Sequence, residues 1–341
     1  MMRPTLSICI PSFNRPKQLG ELLHSIDGNT DDIEIVICED FSPARLEIQA
    51  VVKQYQATTI YHVQYQENEK NLGFDGNIRR LVSLAQGHFV MFMGDDDLFV
   101  AGSLTPYIQF LKNNNNTKYV LRAYQVIHPD GAVEDFRYLP STEYFSPSTE
   151  IVAWLFKRSV TICGFTISRD EANALATSDL DGTLLYQVYL MAEICLKYPS
   201  AYCDIPIVQA VQSFRLDKPH FGAAEAEKGR YTPGKITADN SINFSKAYFE
   251  LTMYLDKKHG ISLTQFIQRD LSKYSYPFLS IQRKRGGLAF MRYANRLNKE
   301  LGFGCTPYFY LYQYALLFLG ESVCDQVIIW IKKRLGYTPQ L

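Results

Sequence analysis

Short apolar runs alternate with stretches of helical period along the first hundred residues. Residues 6–10 (LSICI) and 33–40 (IEIVICED) predict buried strands, the first stopped by Pro11 and the second ending on two acids. Apolar residues at helical spacing predict a helix over residues 16–26, which Asn14 is placed to cap. The same criteria predict helices at residues 45–55, within 68–87 and at 103–113, and strands at 59–66 and 88–94.

This fourfold strand–helix alternation predicts a mostly parallel sheet covered by helices. In such a sheet, ligands bind outside the carboxyl ends of the strands. Polar clusters follow the predicted strands at residues 11–15, 39–40, 71–77 and 95–97, so they are expected to converge on one crevice. Neither GxGxxG nor GxxxxGK[ST] occurs, which disfavours a dinucleotide-binding fold and a P-loop NTPase.

The pattern changes after residue 100, and we predict two domains. They are an α/β domain over residues 1–238 and a helical C-terminal region over residues 239–341. In the second half of the α/β domain the sequence predicts a hairpin turn at 128–131 (HPDG), a strand at 161–169, a helix at 181–199, an extended segment at 200–215 and a loop at 216–235. The C-terminal region is helical throughout, with breaks at Gly260 and at Gly286 and Gly287.

Charge is distributed unevenly in this chain of zero net charge. Residues 241–341 contain 14 Lys and Arg against 6 Asp and Glu, and residues 1–240 contain 21 against 29. The total does not indicate nucleic acid as a partner. The acidic part suits a metal ion, and the basic, aromatic C-terminal region suits an anionic surface such as the inner face of a membrane.

The protein is expected in the cytoplasm. The seven cysteines form no CxxC pair, which is typical of buried thiols in a reducing compartment. The N-terminus has no signal-peptide apolar core. The most apolar segment, residues 307–320, is shorter than the roughly 20 residues that span a bilayer.

Three consecutive acids follow the apolar run FVMFMG. Asp95 and Asp97, as alternate residues of an extended turn, point the same way and could share one hard cation, Mn²⁺ or Mg²⁺, with a substrate diphosphate. Capping of a following helix is the alternative, although three acids exceed what a cap needs. Asp96 is left to cap or to bind sugar hydroxyls.

Three sequence blocks carry a resemblance to a known family. LSICIPSFNRPKQLGELLHSI, IEIVICEDFSP and NLGFDGNIRRLVSLAQGHFVMFMGDDD resemble, over about residues 5–100, the N-terminal half of family 2 nucleotide-sugar glycosyltransferases of the GT-A fold. YQVYLMAEI and HFGAAEAEKGRYTPGK are similar to abequosyltransferase-type enzymes of bacterial O-antigen synthesis. The resemblance implies a nucleotide-diphosphate sugar donor and a saccharide acceptor, with polyprenyl-diphosphate-linked saccharides among the candidates.

The resemblance also implies roles for residues at matching positions. Asp95 and Asp97 match the DXD element that holds the metal and the donor diphosphate, and Asp40 would meet the ribose unless it is only a turn acid. The other positions implied in nucleotide-sugar binding are Pro11, Ser12, Asn14, Arg15, Glu39, Asn71, Gly73, Asn77 and Asp96.

The sequence pattern does not identify the catalytic base. Family 2 enzymes usually take it from an acidic pair, but that pair falls on Tyr186 and Gln187 here. The remaining candidates are Asp181, which is also a plausible helix cap, Asp179, and Glu193, which either faces solvent or pairs with Lys197. The absence of the pair is also consistent with a retaining transfer in which the donor phosphate takes the proton.

Two further regions of the sequence allow more than one interpretation. His220, in the loop at residues 216–235, is a candidate third metal ligand or phosphate donor, unless the loop is a solvated linker. The C-terminal helices either lie on a membrane surface or pack on the α/β domain or a second copy of the chain. The competing functions are a non-catalytic sugar-nucleotide binder and, less favoured, a nucleotidyltransferase.

Overall fold

The computed structural model describes residues 3–128, 131–211 and 221–335. Residues 129–130 of the predicted hairpin turn, and His220, lie outside these ranges. The chain divides into two compact units, Met1–Lys228 and Gly229–Leu341. The sequence placed this division after residue 238.

The described part of the first unit contains one mixed sheet of ten strands. The strands are β1 (Leu6–Ser12), β2 (Ile33–Glu39), β3 (His62–Glu67), β4 (Phe89–Phe92), β5 (Leu98–Phe99), β6 (Tyr119–Ile127), β7 (Val133–Phe136), β8 (Glu143–Phe145), β9 (Phe165–Ser168) and β10 (Ser200–Val211). Their order is β3-β2-β1-β4-β9-β6-β10-β5, with β7 beside β6 and β8 beside β10.

The strands β1 to β4 are mutually parallel, whereas β9 runs antiparallel to both of its neighbours. The flanking helices are α1 (Pro16–His24), α2 (Arg45–Thr58), α3 (Gly73–Leu84), α4 (Leu104–Asn113), α5 (Thr149–Phe156), α6 (Arg169–Ala174) and α7 (Tyr186–Cys195). The predicted α/β class is confirmed. The pairing of β6 with β7 also agrees with the predicted hairpin.

Burial explains why the N-terminal strands read as continuous apolar runs. Every residue of β2 and nearly every residue of β1 is buried, because each strand lies between two others and under helices. The edge strand β3 (HVQYQE) is only partly buried, and polar and apolar residues alternate along it. The buried face of α1 consists of Leu19, Leu22 and Leu23, at the spacing that predicted the helix.

The start of α1 differs from the prediction. Arg15 occupies the capping position without a side-chain cap, and Pro16 is the first helical residue. Asn14 adopts a left-handed conformation (φ 61°), and its Oδ1 accepts a hydrogen bond from the Ala44 amide at 3.1 Å. Asn14 therefore joins the loop after β1 to the start of α2 instead of capping α1.

Helix α7 starts at Tyr186, later than the predicted residue 181. Positive φ angles at Gly182 (86°) and Leu184 (62°) keep the preceding segment out of helical conformation. The first amides of α7 are capped by α3, because Asp75 accepts hydrogen bonds from the Leu184 amide at 2.8 Å and the Tyr186 amide at 3.0 Å. Asp181 is therefore not the helix cap.

From Ala238 onward, the described part of the second unit is helical apart from short connections. Its helices are α8 (Ala238–His259), α9 (Leu263–Lys273), α10 (Tyr276–Ser280), α11 (Gly287–Leu301) and α12 (Pro307–Leu335). Gly260, in left-handed conformation, ends α8, and Gly286 immediately precedes α11, so both predicted glycine breaks are confirmed.

Helix α12 is the most apolar element of the second unit. Gly320 (φ 79°, ψ 170°) interrupts its helical conformation. Among the described residues, Pro307–Ile331 is the one helical stretch long and apolar enough to cross a membrane by length and composition, with a mean hydropathy of 1.5. Because this apolar stretch continues beyond Gly320, the shorter length predicted from the sequence is wrong.

We predict that Asp75→Asn flattens the pH dependence of stability between about pH 4 and pH 7. Asp75 is 1% exposed, and its burial raises its pKa to about 7, although hydrogen bonds from the Leu184 and Tyr186 amides lower it. The folded protein therefore retains a proton that the unfolded chain loses near pH 4, so the free energy of unfolding falls as the pH rises to about 7. Denaturant unfolding over a pH series measures this slope.

Asp75→Asn should also lower the free energy of unfolding by about 1–3 kcal/mol, because one capped amide loses its acceptor. Asp31→Asn, the same change at an exposed acid, serves as the control and should keep the unaltered slope. An unchanged slope in Asp75→Asn would show that the carboxyl is already ionised at neutral pH.

Candidate active site

Three loops are hydrogen-bonded to one another at the carboxyl edge of the parallel strands. The Asp40 amide donates to the carbonyl of Ser12 at 3.1 Å, which joins the loops after β2 and β1. The Phe13 amide donates to Asp95 Oδ2 at 3.2 Å, which joins the loops after β1 and β4. The structure thus brings together three of the polar clusters that the sequence placed at this edge.

Arg15 is the counter-ion of the acidic turn that follows β4. Its Nη1 lies 2.9 Å from Asp95 Oδ1 and 3.0 Å from Asp96 Oδ2. Asp95 is buried, whereas 39% of the Asp96 side chain is exposed. Burial raises the pKa of Asp95 to about 6, although the charge of Arg15 lowers it. Asp96 is therefore the most exposed member of the turn.

Asp97 has different surroundings from Asp95. Its Oδ1 accepts a hydrogen bond from the Val211 amide at 2.8 Å, and its Oδ2 contacts the thiol of Cys163. Within the described ranges it has no ion pair with Lys or Arg. Its burial, together with the charge of Asp96, raises its pKa to about 6. Its charge is therefore compensated only in part, by the Cys163 thiol, the Val211 amide and the charge of Arg122.

The acids after β4 do not cap a helix. Strand β5 follows them directly, and α4 begins only at Leu104. The alternative interpretation of this turn as a helix cap is therefore wrong.

The donor atoms of this turn fit a hard divalent cation. Asp95 and Asp97 supply buried carboxylates, and no basic side chain of the described part forms an ion pair with Asp97. The same part contains no group of three or more His, Cys, Asp or Glu side chains arranged to hold a metal ion. A cation here would take its remaining ligands from substrate phosphates and water, as Mg²⁺ commonly does.

Glu39 closes the turn after β2. Its carboxylate is fully buried and accepts hydrogen bonds from the amides of Phe41 at 3.0 Å and Ser42 at 2.7 Å. These amides are available because Phe41 adopts a positive φ of 57°. Both oxygens of Glu39 are thus bonded to amides of its own turn, and its contact with a nucleotide stays a prediction.

Asp40 anchors the loop that follows β3. Its carboxylate accepts hydrogen bonds from the Leu72 amide at 2.8 Å, the Gly73 amide at 2.9 Å and Asn68 Nδ2 at 2.8 Å. Burial raises its pKa to about 6 despite these bonds. Each carboxylate oxygen has two lone pairs, so a ribose hydroxyl could still donate to Asp40.

The lack of a side chain at Gly73 allows another group to approach its backbone closely, and that group is the carboxylate of Glu227 in this chain. A Cβ at Gly73 would lie 2.6 Å from Glu227 Oε1, and the Phe74 amide donates to the same oxygen at 3.1 Å. Asn71 Oδ1 accepts a hydrogen bond from the Gly73 amide at 2.9 Å. The start of α3 is thus held by carboxylates from two directions, Asp40 and Glu227.

Asn77 lies beneath this loop. It is 3% exposed, donates to the Cys38 carbonyl at 3.1 Å and accepts from Asn68 Nδ2 at 3.1 Å. It supports Asp40 through Asn68, and its contact with a nucleotide stays a prediction.

Two buried hydroxyls at this edge have no hydrogen-bond partner within the described residues. They belong to Ser12, at the end of β1 beside half-buried Pro11, and to Ser42 in the turn after β2. Unsatisfied buried hydroxyls are unfavourable, so a ligand that bonded to Ser12 would gain affinity.

The base candidates differ in accessibility. Asp181 is held by Arg79 through two contacts, Nη1–Oδ1 at 2.5 Å and Nη2–Oδ2 at 2.8 Å, and 21% of its side chain is exposed. Asp179 is exposed. Glu193 is fully buried in α7 with Lys197 Nζ at 3.9 Å, so it cannot reach an acceptor and is not supported as the base.

The position of the usual acidic pair is also inaccessible. Gln187 is 1% exposed, and its Nε2 donates to the Val160 carbonyl at 2.7 Å. Tyr186 is 1% exposed and lies under the Arg79 guanidinium, 5.6 Å from its ring centroid.

Three charged residues were missed by the sequence reasoning: Asp75, Glu227 and Arg122. Asp75 lies at the start of a helix, Glu227 lies in a segment predicted to be a loop, and Arg122 lies in a strand. In these positions their roles were not apparent. The signal for Arg122 was present, since KYVLRAY places one charge inside an apolar strand, where unpaired charges are rare.

Comparison with known proteins agrees with this arrangement. Residues 7–173 match the family Glycosyl transferase family 2. Abequosyltransferase RfbV of Salmonella typhimurium is 35% identical over 102 residues, which are 29% of this chain and 30% of that protein. GalNAc(5)-diNAcBac-PP-undecaprenol beta-1,3-glucosyltransferase of Campylobacter jejuni is 32% identical over 107 residues, 31% of this chain and 34% of that protein. The matches thus span about a third of these relatives.

Solved structures of S. aureus TarS (residues 1–349) share the fold. The complex with UDP-GlcNAc has a TM-score of 0.53 at 12% identity and covers 98% of this chain and 92% of TarS. The complex with UDP has a TM-score of 0.54 at 14% identity and covers 94% and 92%. The first unit of this chain, with its sheet, its acidic turn and its matching residues, therefore contains a domain of glycosyl transferase family 2 built on the GT-A fold.

Proposed function

We propose that the protein is a metal-assisted glycosyltransferase that moves a hexose or deoxyhexose from a nucleotide-diphosphate sugar to a saccharide acceptor. The observation that carries this proposal is the buried acidic turn Asp95, Asp96 and Asp97, held where three loops of a family 2 domain meet.

The donor nucleotide would lie at the carboxyl edge of β1 and β2. Ser12 offers an unsatisfied hydroxyl and Asp40 retains acceptor capacity for a ribose. Arg15 and Asp96 border the acidic turn, and Asn71 shapes the loop after β3. Pro11 and Asn14 complete this lining.

Asp95 and Asp97 would hold the divalent cation, Mn²⁺ or Mg²⁺. When bound, such a cation neutralises charge on a diphosphate leaving group. In the transfer, the acceptor oxygen bonds to the anomeric carbon, and the bond from that carbon to the diphosphate oxygen breaks with its electron pair. The accessible carboxylates that could accept the proton of the acceptor hydroxyl are Asp179 and Asp181. Asp181 would first have to release its hydrogen bonds from Arg79.

The acceptor is proposed to be a surface-polysaccharide intermediate carried on a polyprenyl diphosphate. One relative acts, by its name, on an undecaprenol-linked saccharide, and another is an abequosyltransferase. We therefore place the protein in O-antigen or related polysaccharide synthesis, on the cytoplasmic side of the membrane.

We propose that α12 attaches the protein to the membrane surface. One face of α12 packs within the second unit through Phe309, Gln313, Leu316 and Cys324. Within the apolar 18-residue window of this helix, only 11% is buried. The exposed large apolar side chains are Tyr308, Tyr310, Leu311, Tyr314, Phe318, Leu319, Val323, Val327, Ile329, Trp330 and Ile331.

The geometry favours a helix lying in the membrane interface over one that spans the bilayer. A face packed on other helices is not available to lipid, and Gly320 interrupts a straight span. Basic residues Arg283, Lys284 and Arg285 adjoin α12, because Arg283 donates to the Leu316 carbonyl at 2.6 Å. Lys284 is 81% exposed, and such residues suit anionic headgroups.

A non-catalytic sugar-nucleotide binder is the second candidate. Buried Gln187 stands where family 2 enzymes usually have an acid, which is the observation that favours it. Release of nucleoside diphosphate from a donor sugar would exclude this candidate.

We predict that Asp97→Asn lowers the release of nucleoside diphosphate from the donor sugar by about a thousandfold, because a cation ligand is lost. The variant should remain folded, since a neutral amide avoids the desolvation that raises the pKa of Asp97. Calorimetry with CDP, UDP, GDP and dTDP, with and without Mn²⁺, first identifies the donor nucleotide. Asp97→Asn should then lose the Mn²⁺-dependent part of that affinity.

Asp31→Asn is the control and should match the unaltered protein in both assays. Unaltered turnover by folded Asp97→Asn would refute the assigned role of the turn. Binding of none of the four nucleotides by the unaltered protein would refute the transferase proposal.

We predict that the protein sediments with vesicles containing phosphatidylglycerol, less so at high salt, and that Phe318→Glu weakens this by about 10–100-fold. Phe318 is 79% exposed on α12. Ile60→Glu is the matched control, since Ile60 is also 79% exposed but lies in the first unit.

A protein that stays in the supernatant with anionic vesicles would contradict membrane attachment. If light scattering then showed a dimer that Phe318→Glu dissociates, a second copy of the chain would be the partner of α12.

A further inference from the structure

Arg122 on β6 is a buried charge that has no partner in the described part of the structure. It is 1% exposed and is the largest of the fully buried side chains. Its Nε has no hydrogen-bond partner, and no carboxylate of the described residues pairs with its guanidinium. A cation–π contact with Tyr124, at 5.3 Å from the ring centroid, is its recorded polar contact. Burial of a guanidinium without a bonded anion is unfavourable, so an anion bound beside it would be stabilising.

The guanidinium lies close to the acidic turn. Gly164 follows Cys163, whose thiol contacts Asp97. A Cβ at Gly164 would lie 3.1 Å from Arg122 Nε, so this glycine backbone packs directly against the guanidinium. The pKa of Asp97 is raised by burial, and the charge of Arg122 is among the influences that lower it.

These contacts leave Arg122 near Asp97 but not bonded to it. A structural ion pair would place guanidinium nitrogens within hydrogen-bond distance of the carboxylate, as Arg79 does with Asp181 at 2.5 Å. Here Cys163 and the Val211 amide occupy the two oxygens of Asp97 instead. Within the described residues, the guanidinium of Arg122 therefore lies beside this turn with no oxyanion bonded to it.

We propose that Arg122 binds a phosphate oxygen of the donor diphosphate beside Asp97. This inference rests on the proposed transferase function. A guanidinium presents several N–H donors in a planar fork that matches phosphate oxygens. When the bond between the anomeric carbon and the diphosphate oxygen breaks, the electron pair stays on that oxygen, and hydrogen bonds from Arg122 stabilise the developing charge.

The test compares the binding of a nucleoside, its monophosphate and its diphosphate to Arg122→Met, Arg122→Lys and the unaltered protein. Arg122→Met should weaken the diphosphate about 10–100-fold, the range for loss of charge-assisted hydrogen bonds, and leave the nucleoside unchanged. Arg122→Lys should recover part of the loss. Arg137→Met, a change at a side chain that is 41% exposed, is the matched control and should bind as the unaltered protein does.

Two measurements separate direct contact from other roles. The loss should persist in EDTA, because a direct contact does not require the cation at Asp97. The thermal midpoint of Arg122→Met without nucleotide should not fall, because the substitution removes an uncompensated buried charge.

Unaltered diphosphate affinity in folded Arg122→Met overturns the proposal. A loss seen only with Mn²⁺ means that Arg122 acts through Asp97, and it overturns the proposal as well. An equal loss of affinity for nucleoside and diphosphate, with a lower thermal midpoint, indicates a structural role for Arg122 and also overturns the proposal. If Arg122→Met fails to fold, full diphosphate affinity in Arg122→Lys overturns it. Failure of the unaltered protein to bind any diphosphate would instead refute the transferase proposal.

Discussion

Burial of carboxylates at one edge of the sheet is the constraint on which the rest of the site depends. Parallel strands deliver Asp40, Asp95 and Asp97 to positions that are less than one-tenth exposed. Backbone amides and Arg15 compensate them only in part, so burial raises the pKa of each to about 6. Such a site gains more from a bound cation than a solvated acidic cluster would, because burial weakens the screening that water provides.

Helix α3 joins the two sides of this site. Its first turn is held by Asp40 and Glu227, and it in turn holds the start of α7 through Asp75. One turn further on, Arg79 binds Asp181 and the Thr177 carbonyl, the latter at 2.7 Å. The loop expected to meet the donor and the segment that carries the accessible acids are therefore attached to the same rigid element. A displacement of α3 would move both together.

The sequence predicted the parallel strands and the acidic turn because their signals are local. An apolar run that ends on acids is visible without knowledge of its neighbours, and so is the glycine break at Gly260. Glu39, Asn77 and Glu193 were assigned to ligands or chemistry, but tertiary contacts bury them. Whether an acid faces a crevice or closes a turn depends on amides that come from distant residues, as the Asp75 contact with Leu184 shows. The charge of Arg122 inside an apolar strand was visible in the sequence, but whether the described residues supply a partner for it depends on the folded chain.

The apolar surface of α12 requires a cover for a similar physical reason. A patch with eleven large exposed apolar side chains exceeds what single scattered residues explain, and such patches mark interaction surfaces. Its buried face is occupied by the other helices of its unit, so the cover must come from outside that unit. Neighbouring Arg283, Lys284 and Arg285 add positive charge, which would favour anionic lipid over a second positively charged copy of the same surface. Attachment there would confine the enzyme to the surface that carries a polyprenyl-linked acceptor, which raises the rate of encounter without any gain in affinity for the saccharide itself.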